Sequence, residues 1–103
     1  MLSDAQIVVL KRAVDHFGRR AQLRKVAEEL RELAVECDKA AEGGHTSPEA
    51  LNALTEALAH ERADVEIVLY QFDNLLLPSL RLRVPGKIAS QIERLEGRLD
   101  NGE

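Results

Sequence analysis

Apolar residues recur at steps of three and four along most of this 103-residue chain, which is the spacing of helices that bury one face. No segment alternates apolar and polar residues as a half-buried strand does. Aromatic residues make up only 3% of the chain, so a core must be built mainly from Leu, Val, Ile and Ala. We therefore predict an all-α fold in which four helices pack as a bundle. The apolar stripe of the second helix is expected to hold Leu23, Val26, Ala27, Leu30, Leu33, Ala34 and Cys37.

Local signals predict where the first two helices begin and end. Ser3 followed by Gln6 is a capping box that opens the first helix, and Gly18 is suited to end it. The second helix is expected to run from about residue 20 to residue 41, and the pair Gly43–Gly44 ends it.

The third helix has the strongest start signal in the chain. Ser47 is a good N-cap residue, and Pro48 suits the first helical position. No helix breaker follows until Pro78, so this helix is expected to be close to 30 residues long. Residues 79–85 are predicted to form an irregular connection, and residues 86–99 a fourth helix.

The length and net charge of the chain restrict the kinds of function that we expect of it. The chain is expected to be one domain over residues 1–103, with residues 97–103 frayed. A net charge of −4 argues against a general nucleic-acid binder. The single cysteine, the first residues Met-Leu-Ser-Asp and the absence of an apolar run of about 18 residues predict a cytoplasmic protein that does not use the membrane.

Two carboxylates of the third helix lie in an unexpected position. At about 100° per residue, Glu61 falls in the middle of the apolar stripe and Asp64 on its shoulder. An ionised carboxylate in a helix seam is costly unless a cation compensates it. No lysine or arginine shares this face between Leu58 and Leu75, so a divalent metal ion is the simplest compensation.

The acids of the second helix are more ordinary on their own. Glu32 projects nearly opposite the apolar stripe and Glu29 lies on its flank, as in a solvated charged face. Glu29 and Glu32 are nevertheless three residues apart, as Glu61 and Asp64 are, so each pair can present two carboxylates on one side of its helix. If the two helices pack antiparallel, the four acids form an all-oxygen site of the kind that suits Mg²⁺ or Mn²⁺.

This constellation resembles a known family. Glu28-Glu29-Leu30-Arg31-Glu32, followed after 28 residues by Glu61-Arg62-Ala63-Asp64, is similar to the acidic signature of the MazG-like all-α nucleoside triphosphate (NTP) pyrophosphohydrolases. The flanks also resemble short phage-type members: Phe17-Gly18 with Gln22 before the first motif, Gln71 after the second, and the ending at residues 92–99. The resemblance covers about residues 16–99.

The resemblance implies a four-helix fold that assembles as a homodimer or homotetramer. It implies Mg²⁺ (or Mn²⁺) held by Glu29, Glu32, Glu61 and Asp64, and hydrolysis of an NTP to a nucleoside monophosphate and pyrophosphate, a housekeeping reaction of the nucleotide pool. Glu28 or Glu32 would accept the proton of the attacking water. Among the expected substrate contacts, cations serve the phosphates and Tyr70 the base; the full set is Gln22, Lys25, Tyr70, Lys87 and Arg94.

This sequence departs from the family pattern at two positions. Gln91 stands where relatives often carry a lysine, with Lys87 one turn earlier, and Phe17 stands where relatives often carry a tryptophan.

Three rival functions remain beside this interpretation. The first is a non-catalytic helical dimerisation or adaptor protein whose acids only provide solubility. The second is a family member that binds nucleotides and has lost hydrolysis. The third is a helical nucleic-acid binder, supported only by the basic stretch from Lys11 to Lys25.

Overall fold

The computed structural model describes residues 1–44 and 46–102. Over these residues the chain is all-helical and contains no strand, which confirms the predicted all-α class. The elements in chain order are α1 (Asp4–Phe17), α2 (Arg19–Ala41), α3 (Pro48–Gln71), a π-helical segment (Phe72–Leu76) and α4 (Leu80–Asp100).

The predicted start signals operate as expected. The backbone N–H of Gln6 donates to Ser3 Oγ over 3.1 Å, and the backbone N–H of Ser3 donates to Gln6 Oε1 over 2.8 Å. Gly18, with φ of 86°, lets the chain turn directly from α1 into α2. At α3, Ser47 Oγ accepts from the backbone N–H of Ala50 over 3.0 Å, and Pro48 occupies the first turn.

The π-helical segment prolongs α3 and anchors it in the core. Its wider turn is marked by the backbone N–H of Leu77, which donates to the carbonyl of Phe72, five residues earlier, over 3.1 Å. Leu76 is only 1% exposed and packs with Val26 of α2 and Val68 of α3. Helical structure therefore continues from residue 48 to residue 76, close to the predicted end before Pro78.

The prediction of an irregular connection over residues 79–85 is wrong. α4 begins at Leu80 and includes Pro85. Proline cannot donate the hydrogen bond that the carbonyl of Arg81 would otherwise accept, which usually disfavours a helix interior. Here every residue from Arg81 to Pro85 is exposed, so water can satisfy that carbonyl.

Only α1, α2, α3 and the π-helical segment pack together extensively. Among the described residues, α4 contacts the rest of the chain only at the π-helical segment, and every residue from 81 to 102 is exposed. The radius of gyration is 17.3 Å, against about 13 Å for a compact domain of this length. The predicted four helices are present, but the fourth projects from the bundle that the other three form.

Two further features concern the surface. Cys37 was expected in the core of the bundle but is exposed. Within residues 1–44 and 46–102, no helix combines the length and the apolar character that crossing a bilayer requires. α4 reaches Asp100, and the last residue of the segment expected to fray, Glu103, lies outside the described residues.

Candidate metal centre

Glu29 is the most deeply buried acid of the described chain. It lies on the side of α2 that faces α3, and it is only 6% exposed. Lys25, one turn earlier, places its Nζ 2.9 Å from Glu29 Oε1. The other oxygen, Glu29 Oε2, is buried without a hydrogen-bond partner among the described residues. A buried oxygen without a partner is costly, so Lys25 compensates the Glu29 carboxylate only in part.

Glu61 of α3 is in the same condition. The residue is half-buried, and its Oε2 is buried with no partner in the described part of the chain. Asp64, one turn later, is also half-buried, and the nearest basic atom to it is His60 Nε2 at 3.9 Å. Among the described residues, no lysine or arginine forms an ion pair with Glu61 or Asp64.

Packing of α2 against α3 brings these acids together. One carboxylate oxygen from each of Glu29, Glu61 and Asp64 lies within 4.8 Å of the other two. Mg²⁺ binds oxygen at about 2.1 Å, so two ligands on opposite sides of the ion are about 4.2 Å apart. The three carboxylates are hereafter called the buried triad, after the buried Glu29; Glu61 and Asp64 are half-buried. They need only small side-chain adjustments to bind one divalent cation.

A second group of acids adjoins the buried triad at its solvent-exposed edge. Glu28, Glu29 and Glu32 also bring one oxygen each within 4.8 Å of one another, but Glu28 and Glu32 are exposed. Repulsion from the carboxylate of Glu29 is the largest cause that raises the pKa of Glu32 above its ordinary value of 4.5. The four predicted ligands therefore form two groups that share Glu29, with Glu32 at the exposed edge.

The raised pKa of Glu32 predicts a pH effect on the metal-free protein. A carboxyl group with a higher pKa in the folded than in the unfolded state destabilises the fold at pH values above that folded pKa, and the cost is relieved as the pH falls. In EDTA, Glu32→Gln should therefore raise the melting temperature at pH 7, and the gain should shrink as the pH approaches 4.5. Thermal melts of the variant and the parent protein between pH 4.5 and pH 7 test this prediction. Glu56→Gln, an exposed change on α3 rather than α2, is the control and should give no such trend.

An open cleft of about 400 Å³, within the size range of small-molecule sites, lies beside Lys25, although none of the acids of either group lines it. It lies between α1, α2 and α3 and is lined by Leu10, Phe17, Gln22, Lys25, Val68 and Gln71, among others. Lys25 links the cleft to the acids, because its Nζ contacts Glu29. A larger depression of about 600 Å³ on α1 is lined neither by Lys25 nor by any acid of either group.

Two glutamines contribute uncharged polar groups to the cleft. Gln22 was predicted to contact substrate and is buried there. Gln71 was not among the predicted site residues, although it is only 4% exposed and donates from Nε2 to the carbonyl of Leu10 over 3.4 Å. The signal was present in the sequence: Gln71 lies three residues after Val68 and four before Leu75, on the apolar stripe of α3.

The other three predicted substrate contacts lie apart from the acids of the same chain. Tyr70 is six residues after Asp64 and nine after Glu61, so it projects from α3 about 120° and 180° away from them. Lys87 and Arg94 are exposed on α4, which does not contact α2 or α3 among the described residues.

No protein-family model, curated protein or solved structure matches this chain.

Proposed function

We propose that this chain is a MazG-like NTP pyrophosphohydrolase that requires Mg²⁺ or Mn²⁺. The observation that carries the proposal is the pair of buried, unpartnered carboxylate oxygens of Glu29 and Glu61, which lie in one triad with Asp64. Buried carboxylate oxygens without a partner disfavour folding, and a bound cation would remove that cost.

Glu29, Glu61 and Asp64 would hold the metal ion, and Glu32 would join them from the exposed edge. Their donor atoms are all carboxylate oxygens, which suits Mg²⁺ and Mn²⁺ better than metals that prefer nitrogen or sulfur. When bound, such an ion neutralises phosphate charge and lowers the pKa of coordinated water.

The remaining residues would position substrate and move a proton. Glu28 and Glu32 are open to solvent beside the buried triad, and a carboxylate oxygen of either can accept the proton of the attacking water. The water oxygen adds to a phosphorus atom of the triphosphate as the α–β anhydride bond breaks. An NTP and water thus yield a nucleoside monophosphate and pyrophosphate. The cleft with Gln22 and Gln71 would bind the nucleoside, and Lys25 would face the phosphates between the cleft and the acids.

The direct test is a panel of common and modified NTPs assayed with Mg²⁺ or Mn²⁺. We expect pyrophosphate as the primary product, no turnover in EDTA, and a higher melting temperature with metal alone, because a ligand that binds only the folded state stabilises it. Orthophosphate as the primary product would mean that a different bond is cleaved and would contradict the proposal. Binding without turnover on any NTP would favour a nucleotide-binding protein that has lost hydrolysis.

We also propose that the chain assembles as a homodimer or homotetramer through α4. Among the described residues only Val26, Val65, Val68 and Leu76 are buried hydrophobics, which is a small core for a chain of this length. The helix α4 presents Ile88, Ile92, Leu95 and Leu99 on one face, each at least half exposed. A second copy would cover this face, and from that copy Lys87 and Arg94 could reach a site that they do not approach in their own chain.

The exposed face of α4 also favours one rival function, a helical dimerisation or adaptor protein. In that case the acids only provide solubility. The rival expects Glu61→Ala and Asp64→Ala to be tolerated and Mg²⁺ to leave the melting temperature unchanged. The two functions are therefore separated by the metal titration, before any substrate is known.

A further inference from the structure

Among the described residues, Lys25 is the only basic side chain in contact with Glu28, Glu29 or Glu32, the acids of α2 at the candidate metal centre. Its Nζ lies 2.9 Å from Glu29 Oε1 and 3.6 Å from Glu28 Oε1. The Lys25 side chain is about half exposed, whereas that of Glu29 is 8% exposed. The ion pair therefore joins a buried ligand of the candidate metal centre to an ammonium group at the surface.

A pair of this spacing on an open helix surface would have little significance. Lysine four residues before glutamate is the less favourable order along a helix, and exposed pairs contribute little to stability. The burial of Glu29 makes this pair different, because without Lys25 its carboxylate would have no cation at all among the described residues. The compensation is partial, since Glu29 Oε2 and Glu61 Oε2 keep no partner in the same part of the chain.

Lys25 also borders the cleft. Its side chain lines that cavity together with Gln22 and Gln71, while its Nζ contacts Glu29, which does not itself line the cavity. The four-carbon stem of a lysine is flexible, so the ammonium group can leave Glu29 and remain at the edge of the cleft. Two locations are thus open to it: one against Glu29 and one facing the cleft.

We infer that Lys25 substitutes for the metal ion in the metal-free chain and is released from Glu29 towards the cleft when a divalent cation binds Glu29, Glu61 and Asp64. The inference rests on the proposed function. A divalent cation at the buried triad repels the ammonium group and competes with it for the same carboxylate. Metal binding therefore breaks the Lys25–Glu29 pair and makes a positive charge available to the phosphates of a nucleotide. The same competition weakens metal binding, so Lys25 couples the metal centre to the cleft.

The test compares Lys25→Met with Arg24→Met, using Mn²⁺ and Mg²⁺ alone as probes. Arg24 is an exposed neighbour on α2, so its change removes the same charge away from Glu29. In EDTA, Lys25→Met should melt below the parent protein because buried Glu29 loses its cation. By titration calorimetry it should bind Mn²⁺ about fivefold more tightly or better, the lower end of typical coupling between two sites. With saturating Mn²⁺ its melting temperature should equal or exceed that of the parent, while Arg24→Met should behave as the parent throughout.

Release of the ammonium group is measured on the parent protein by amine-specific labelling and mass spectrometry. Mg²⁺ should increase the labelling of Lys25 relative to Lys11, an exposed lysine of α1 that serves as the internal control. If metal stabilises the parent but leaves Lys25 labelling unchanged, or if Lys25→Met is destabilising to the same extent with and without metal, the inference is wrong and the metal centre stands. If metal neither binds nor stabilises the parent, the proposed function fails together with the inference.

Discussion

Glu61→Gln should abolish NTP hydrolysis while leaving the fold intact. The substitution keeps the shape of the side chain but removes the negative charge of a proposed metal ligand. We expect kcat to fall by at least ~10²-fold, the scale on which the loss of one preorganised charge-stabilising group is felt. The metal-induced rise in melting temperature should disappear as well. Pyrophosphate release and thermal melts with and without Mg²⁺ measure the two effects.

The fold without metal should tolerate this change. Glu61 Oε2 is buried and has no partner among the described residues, so a neutral amide removes an unfavourable charge, and stability in EDTA should be equal to or above that of the parent. Glu66→Gln is the matched control, because Glu66 lies on the same helix but is exposed and paired with Arg62 at 2.8 Å. Glu66→Gln should keep both turnover and metal response. A Glu61→Gln protein that released pyrophosphate at nearly the parental rate would refute the site assignment.

Ile92→Glu should convert the proposed oligomer into monomers. Ile92 is 58% exposed in the single chain and lies in the middle of the apolar face that α4 presents. A glutamate buried there in a symmetric interface would meet its own copy or an apolar surface, and an unpaired buried charge is strongly unfavourable. Light scattering after size-exclusion chromatography should give the monomer mass of 11.5 kDa for this variant and a multiple of it for the parent.

The control for this prediction lies on the opposite side of the same helix. Ser90→Glu adds the same charge about 200° away from Ile92, so it should keep the parental mass. If the parent is itself a monomer at micromolar concentration, the proposed assembly is wrong. If Ile92→Glu keeps the parental mass, the interface lies elsewhere on the chain. Loss of turnover in the monomer, with metal stabilisation retained, would indicate that a second copy completes the site.

The sequence predicted the helices well because their ends depend on neighbouring residues. Ser3 with Gln6, and Ser47 with Pro48, act within one helical turn, so no distant contact was needed to recognise them. Pro85 is the exception. It was expected to stay outside α4, but its missing hydrogen bond affects only a solvent-exposed carbonyl, and the helix starts before it.

The candidate site was likewise predictable from the sequence only in part. The sequence by itself determined that Glu61 and Asp64 lie on the apolar face of α3, because helical periodicity places every side chain around a single axis. It did not determine the burial of Glu29, which periodicity assigned to a solvated flank of α2 and which depends on the rotation of α2 against α3.

Only the tertiary structure decided that Glu29 joins Glu61 and Asp64 while Glu32 stays at the exposed edge. It likewise decided that the ammonium group of Lys25 contacts the buried carboxylate of Glu29. It also decided that α4, although amphipathic in sequence, contacts only the π-helical segment among the described residues. The physical reason is common to both. Periodicity specifies which face of a helix is apolar, but the element that covers that face depends on packing between segments distant in sequence.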